Sequence, residues 1–149
     1  MRFTVDSNVL VYALDAGTPD KHVVAVDIMI RASMLDMVLT AQALAEFLAV
    51  IRRKYSEHFA AALDQARRWT VLFPPIATTH DHVVAGGDFA IRHKLQFWDS
   101  VIWQAAASKQ AVYFLSEDLQ DGLSINGMTV LNPFNDDNAS LLGEVLQED

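Results

Sequence analysis

Five short apolar runs, at residues 2–6, 37–39, 70–73, 111–115 and 128–131, are separated by longer segments whose apolar residues recur at helical spacing. Parallel strands of one sheet need a crossover of a dozen or more residues, and a helix usually supplies it. The alternation therefore predicts an α/β fold: a three-layer α/β/α sandwich around a central parallel sheet. Such a sheet brings the carboxyl ends of its strands to one edge, where open α/β sheets bind their ligands. The first run, Phe3-Thr4-Val5, ends in Asp6, and Ser7 and Asn8 follow it. An acid thus stands at that edge from the outset.

The helical segments follow from capping and periodicity. Residues 8–14 read as a short helix or turn, and Ala16-Gly17-Thr18-Pro19 as a loop. Asp20 is expected to cap a helix through about Ala32. Thr40 is expected to cap a helix over 41–54, with Leu44, Phe47, Leu48 and Ile51 on one side. Ser56 is expected to cap a further helix to about Trp69. Thr79 opens a segment interrupted by Gly86-Gly87, which is read as one weakened helix or two. A helix starting at Phe97-Trp98-Asp99-Ser100 is expected to run to Ser108. The tail carries Leu141, Leu142, Val145 and Leu146 at helical spacing.

A chain of 149 residues that is 52% hydrophobic suits one globular domain with a real core. It contains no cysteine, which excludes disulfides and thiolate metal sites and fits a reducing compartment. No apolar run reaches the length of a membrane span, and the start does not read as a signal peptide, so a cytoplasmic protein is expected. The net charge of −8 argues against a general electrostatic binder of nucleic acid. It does not argue against a nucleic-acid enzyme whose acids gather around bound cations. The positive charge is clustered at Arg52-Arg53-Lys54, Arg67-Arg68 and Arg92-His93-Lys94. These clusters suit either helix ends or the phosphates of a nucleic acid.

Four acids stand where the topology would bring them together: Asp6, Glu46, Asp99 and Asp118. Asp6 ends the first strand, and Asp118 lies three residues after the strand that ends at Leu115. Asp99 begins a helix, and Glu46 borders the apolar stripe of helix 41–54. Each also has a plainer reading: Asp6 and Asp99 as helix caps, Glu46 as an exposed helix charge, Asp118 as a turn acid. Four carboxylates in one cleft repel one another and stay ionised together only beside cations. An oxygen-only donor set favours hard ions, Mg²⁺ or Mn²⁺.

Asp6-Ser7-Asn8-Val9-Leu10, Glu46 in a helix after a short strand, Phe97-Trp98-Asp99-Ser100-Val101-Ile102, and Leu115-Ser116-Glu117-Asp118-Leu119-Gln120-Asp121-Gly122 occur here in order. Together they resemble the PIN domain family, and especially its VapC-type toxin branch, over about residues 3 to 133. The resemblance implies a PIN-like nuclease domain at 1–134, and a tail at 135–149 forming a short helix packed on it. It implies that Asp6, Glu46, Asp99 and Asp118 are catalytic and hold one or two Mg²⁺ or Mn²⁺ ions. Asn8 and Ser116 would support them by hydrogen bonding. The implied activity is hydrolysis of RNA, leaving 5′-phosphate and 3′-hydroxyl ends, by the toxin of a toxin–antitoxin pair. A metal ion can lower the pKa of bound water and so supply hydroxide without a protein base. Arg52, Arg53, Lys54 and Arg92 would then hold RNA phosphates. The implied partners are a cognate antitoxin and a second copy of the chain. Asp121 comes one place later than the family's frequent extra acid, and the resemblance carries no metal role to it.

Two other functions compete: an inactive PIN-like binding module, and a phosphotransfer enzyme with Asp6 as nucleophile. The second needs a lysine after a later strand, and Lys109 precedes strand 111–115 instead. His80 and His82, two apart, do not share a helix face and make a poor metal pair. Trp98 and Trp103 are expected in the core or at a dimer surface.

Overall fold

The computed structural model describes residues 1–148. Its elements in chain order are β1 (Phe3–Val5), α1 (Ser7–Leu14), α2 (Pro19–Ala32), β2 (Met37–Val38), α3 (Ala41–Lys54), α4 (Phe59–Leu72), α5 (His80–His93), α6 (Phe97–Ala107), β3 (Tyr113–Leu115), β4 (Ser124–Ile125), β5 (Met128–Leu131) and α7 (Ala139–Val145). Single 3₁₀ turns lead into α4 at Ser56–His58 and into α7 at Asp136–Asn138. The five strands form one sheet in the order β2-β1-β3-β5-β4, flanked by the helices. β1 pairs in parallel with β2 and β3, and β3 with β5. The expected α/β architecture is present, with one addition at its edge.

That addition is β4, which pairs antiparallel with β5 through Ile125↔Met128. The two residues between them are Asn126 and Gly127, both at positive φ (50° and 85°). An Asn-Gly pair between extended residues is the preferred two-residue hairpin loop, because both positions need positive φ. The signal is in the sequence, although the strand before it is only two residues long.

Residues 70–73 do not form the expected strand. Thr70, Val71 and Leu72 continue α4, and Phe73 caps it, its N–H bonding the Trp69 carbonyl. The helical reading wins because Ala62, Ala66, Trp69 and Phe73 are buried at spacings of three and four, whereas Val71 is 81% exposed. Extended pairing resumes beyond the prolines, where Ile76 bridges Thr40 in parallel. The start of α2 also differs. Thr18 occupies the cap position with Pro19 at the first turn, so Asp20 lies inside the helix rather than before it. Ser56 belongs to the 3₁₀ turn ahead of α4.

Thr40 caps α3 as expected, accepting from the Ala43 N–H at 3.1 Å. The segment from His80 to His93 is one helix despite its two glycines. Gly86 is there for proximity: a Cβ would lie 2.9 Å from Val101 Cγ2 and 3.1 Å from its Cα. Its absence lets α5 sit against α6. His82 closes a capping box with Thr79, and His80 and Asp81 are exposed.

The core runs across the central strands. Trp103 stacks on Phe114 (centroids 5.8 Å apart) and lies 5.2 Å from Phe89. Phe3, Phe47, Trp103 and Phe114 are almost wholly buried, and each contributes roughly 2–3 kcal/mol of transfer free energy by area. Trp98, by contrast, is about half exposed. After β5 the chain returns toward α2: Arg31 Nη2 donates to the Leu146 carbonyl at 2.7 Å, and Val145 and Leu146 are buried. Residue 149 of the expected tail lies outside the described residues.

Candidate metal centre

Strand order decides where side chains can meet. β1 lies between β2 and β3, so the chain leaves it to one side first and reaches its other neighbour much later. The carboxyl ends of β1 and β3 therefore flank a topological switch point, the place where such sheets form a crevice. Val5 pairs with Leu115, so the residues after each strand, Asp6 and Ser116, emerge side by side. Asp6 N–H bonds the Leu115 carbonyl at 2.9 Å, and Ser116 N–H that of Leu131 at 3.1 Å.

Asp6 is 1% exposed. It caps α1 through the Ser7 N–H at 2.7 Å, and its other oxygen accepts from Ser116 Oγ at 2.7 Å. Being a helix cap thus does not exclude it from the cluster. Asn8 Nδ2 lies 3.4 Å from Asp6 Oδ2 and 3.1 Å from Asp118 Oδ2, linking the two acids. Ser116 Oγ also accepts from the Asp118 N–H at 3.1 Å.

Asp99 is not the cap of α6. Gln96 holds that position, and Asp99 sits buried in the first turn. Glu46, on α3, is half-buried and takes a 3.4 Å hydrogen bond from Gln42 Nε2. One carboxylate oxygen from each of Asp6, Glu46 and Asp99 lies within 4.8 Å of the others. Asp118 is exposed and lies outside that triad, at the solvent mouth and tied to it by Asn8 and Ser116.

The electrostatics carry the cost of this arrangement. Burial, followed by the charges of Asp6, Glu46 and Asp118, pushes the Asp99 carboxyl up to about 8. Burial raises Asp6 to about 6, against the lowering effect of its bonds from Ser116 and Ser7. Glu46 is raised as well, chiefly by burial. Among the described residues no lysine, arginine or histidine forms an ion pair with these four acids. The buried Asn8 Oδ1 has no hydrogen-bond partner. Close oxygens, no protein counter-ion and an unused polar atom suit one hard divalent cation.

Beside the acids opens a cleft of about 340 Å³, lined by Asn8, Tyr12, Lys54, Tyr55, Glu117 and Asp118 among others. Lys54 is the basic residue of the expected set that reaches it. Arg52 lies over the Phe59 ring, and Arg53 and Arg92 are exposed elsewhere on α3 and α5. Asp121 has a structural role. It accepts from Asn132 N–H at 2.9 Å, Asn135 Nδ2 at 3.1 Å and Asn138 Nδ2 at 2.7 Å, which hold it below the usual carboxylate range despite some burial. Tyr12, Lys21 and Glu117 form a polar cluster at the cleft that sequence reasoning missed. No spacing rule links residues so far apart.

A comparison with curated protein sequences finds no match. Among solved structures, Mycobacterium tuberculosis VapC20, described as a sarcin–ricin loop cleaving toxin, aligns with a TM-score of 0.63 at 18% identity, covering 75% of this chain and 86% of its own. VapBC2 from Rickettsia felis, solved with a DNA fragment from its promoter, aligns with a TM-score of 0.61 at 15% identity, covering 87% and 97%. At these identities the likeness is one of fold. The PIN domain family model matches residues 3–120, most of the chain and the whole stretch that carries the four acids. By that match, the chain belongs to the PIN domain family.

Proposed function

We propose that this chain is a divalent-metal-dependent endoribonuclease, the toxin of a toxin–antitoxin pair. The observation that carries the reading is the meeting of Asp6, Glu46 and Asp99 within 4.8 Å without a protein cation beside them. Family membership and the toxins among the structural neighbours support it.

Asp6, Glu46 and Asp99 would hold Mg²⁺ or Mn²⁺, with Asp118 joining from the mouth. Such an ion supplies Lewis acidity and an activated water at neutral pH. The protein's own part is positioning. Ser116 and Ser7 fix the two Asp6 oxygens, Gln42 steadies Glu46, and Asn8 sets the distance from Asp6 to Asp118. Asp99 would release its proton as the centre fills, because a cation offsets the charges that keep it neutral. Lys54 would receive a backbone phosphate at the cleft, with Arg52, Arg53 and Arg92 as more distant contacts. Hydrolysis there leaves 5′-phosphate and 3′-hydroxyl ends. A cytoplasmic homodimer silenced by its antitoxin completes the reading; no helix among the described residues is long and apolar enough to cross a membrane.

Purified protein should cut RNA with Mg²⁺ or Mn²⁺ and stop with EDTA or with Asp6→Asn. Cleavage that survives both treatments overturns the proposal.

A further inference from the structure

Glu117 lies between two members of the acidic centre, Ser116 and Asp118, yet its carboxylate is engaged elsewhere. Oε1 accepts from the Tyr12 hydroxyl at 2.6 Å, and Oε2 from Lys21 Nζ at 2.7 Å. Lys21 Nζ also reaches the Tyr12 oxygen at 3.4 Å. It stands 5.0 Å from the centroid of the Tyr12 ring and 5.8 Å from that of Phe134. Those two rings meet edge to face at 5.1 Å. The Tyr12 carbonyl accepts from His22 Nδ1 at 2.8 Å. α1 and α2 thus converge on one carboxylate through Tyr12 and Lys21, and Phe134, after β5, packs against both of those residues.

The Glu117 side chain is only 18% exposed, so this ion pair is better ordered than an ordinary surface pair. Anchoring Glu117 fixes the backbone on both sides of it. On one side Ser116 Oγ donates to Asp6; on the other the Asp118 N–H returns to Ser116 Oγ, and its carboxylate takes the Asn8 amide. Lys21 is matched to Glu117, so its charge serves the loop before it serves any substrate.

We propose that Tyr12, Lys21 and Glu117 form a clamp that positions Ser116 and Asp118 toward Asp6, and thereby sets how tightly the acidic centre holds a divalent cation. The proposal rests on the metal-centre reading above. None of the three is assigned to the cation itself; they are positioning residues.

Mn²⁺ binding to the full chain, measured by titration calorimetry, tests this directly. Glu117→Gln and Lys21→Met should each weaken binding about tenfold, the size typical of lost support behind metal ligands. The double variant should be no weaker than the worse single, because both act through one contact. Tyr12→Phe keeps the packed ring and should show a smaller loss in the same direction, which guards against an unfolded variant. Arg2→Met, which breaks the Arg2–Asp36 pair (2.8 Å) elsewhere on the surface, should leave Mn²⁺ affinity unchanged. The clamp is overturned if wild type binds Mn²⁺ and all three clamp variants bind it equally well, whatever their melting temperatures. It is also overturned if Lys21→Met raises only KM for RNA, which would make Lys21 a substrate contact. Failure of wild type itself to bind Mn²⁺ would instead sink the metal-centre reading, and the clamp with it.

Discussion

Asp99→Asn should make the metal-free protein more stable, and the gain should grow with pH. In the folded state the Asp99 carboxyl titrates near 8, against an ordinary value of 3.8. Between those values the folded state binds a proton that the unfolded chain has released, so stability falls as pH rises. Taken alone, a displacement of that size corresponds to about 6 kcal/mol at 1.36 kcal/mol per pH unit. Asp6 and Glu46 share the same repulsion and water reaches the mouth beside Asp118, so we expect about 2 kcal/mol at pH 8. For a chain of this length that is about 4–8 °C in melting temperature. The assay is thermal unfolding followed by circular dichroism in EDTA at pH 4, 6 and 8. At pH 4 both proteins carry a neutral group and should melt nearly together. With Mn²⁺ at pH 8 wild type should rise and the variant respond much less, by mass action. A variant that melts at or below wild type at pH 8 in EDTA, or that gains as much from Mn²⁺, would refute the reasoning.

Further outcomes follow from single contacts. Ser116→Ala removes a donor from Asp6 and an acceptor from the Asp118 N–H; it should cost about 1–2 kcal/mol in denaturant unfolding and lower RNA cleavage about 10- to 100-fold. Gly86→Ala places a methyl 2.9 Å from Val101 Cγ2 and should cost about 1–3 kcal/mol in urea unfolding. Gly87→Ala, with nothing within 4 Å, should instead stabilise by about 0.5–1 kcal/mol. Asp121→Ala should loosen the segment holding Asn132, Asn135 and Asn138, seen as faster amide exchange there, while Mn²⁺ affinity stays at the wild-type value.

Most of the elements, and the place of Asp6 at the end of the first strand, were legible because each rests on local chemistry. Thr40 announces α3, Asp6 closes a run of strand formers, and alternating strand and helix patterns dictate a mainly parallel sheet. Residues 70–73 misled because β-branched Thr70 and Val71 mimic a strand, while the burial that keeps them helical depends on Trp69 and Phe73 fitting a core defined by other segments. Asp99 reads as a cap by residue type, yet Gln96 holds the cap three residues earlier and the helix begins at Phe97, because the preference of Asp for a cap is a tendency that the packing of Asp99 overrides. The depth of each acid was not legible. Asp118 and Asp6 look alike in sequence, but one is exposed and the other buried, and only the packing of α1, α3 and α6 around β1 separates them. The Glu117 contacts were out of reach for the same reason: they span 96 and 105 positions.

The pairing of β1 with β3 has a consequence in time. Asp6 is made well before its hydrogen-bonding neighbour Ser116, which lies 110 residues downstream, and Glu46 and Asp99 come from helices between them. A ribosome must complete most of the domain before the first strand acquires the partner that forms the crevice. On the nuclease reading, a growing chain therefore cannot attack the RNA around it, and activity begins only after synthesis has brought the distant halves together.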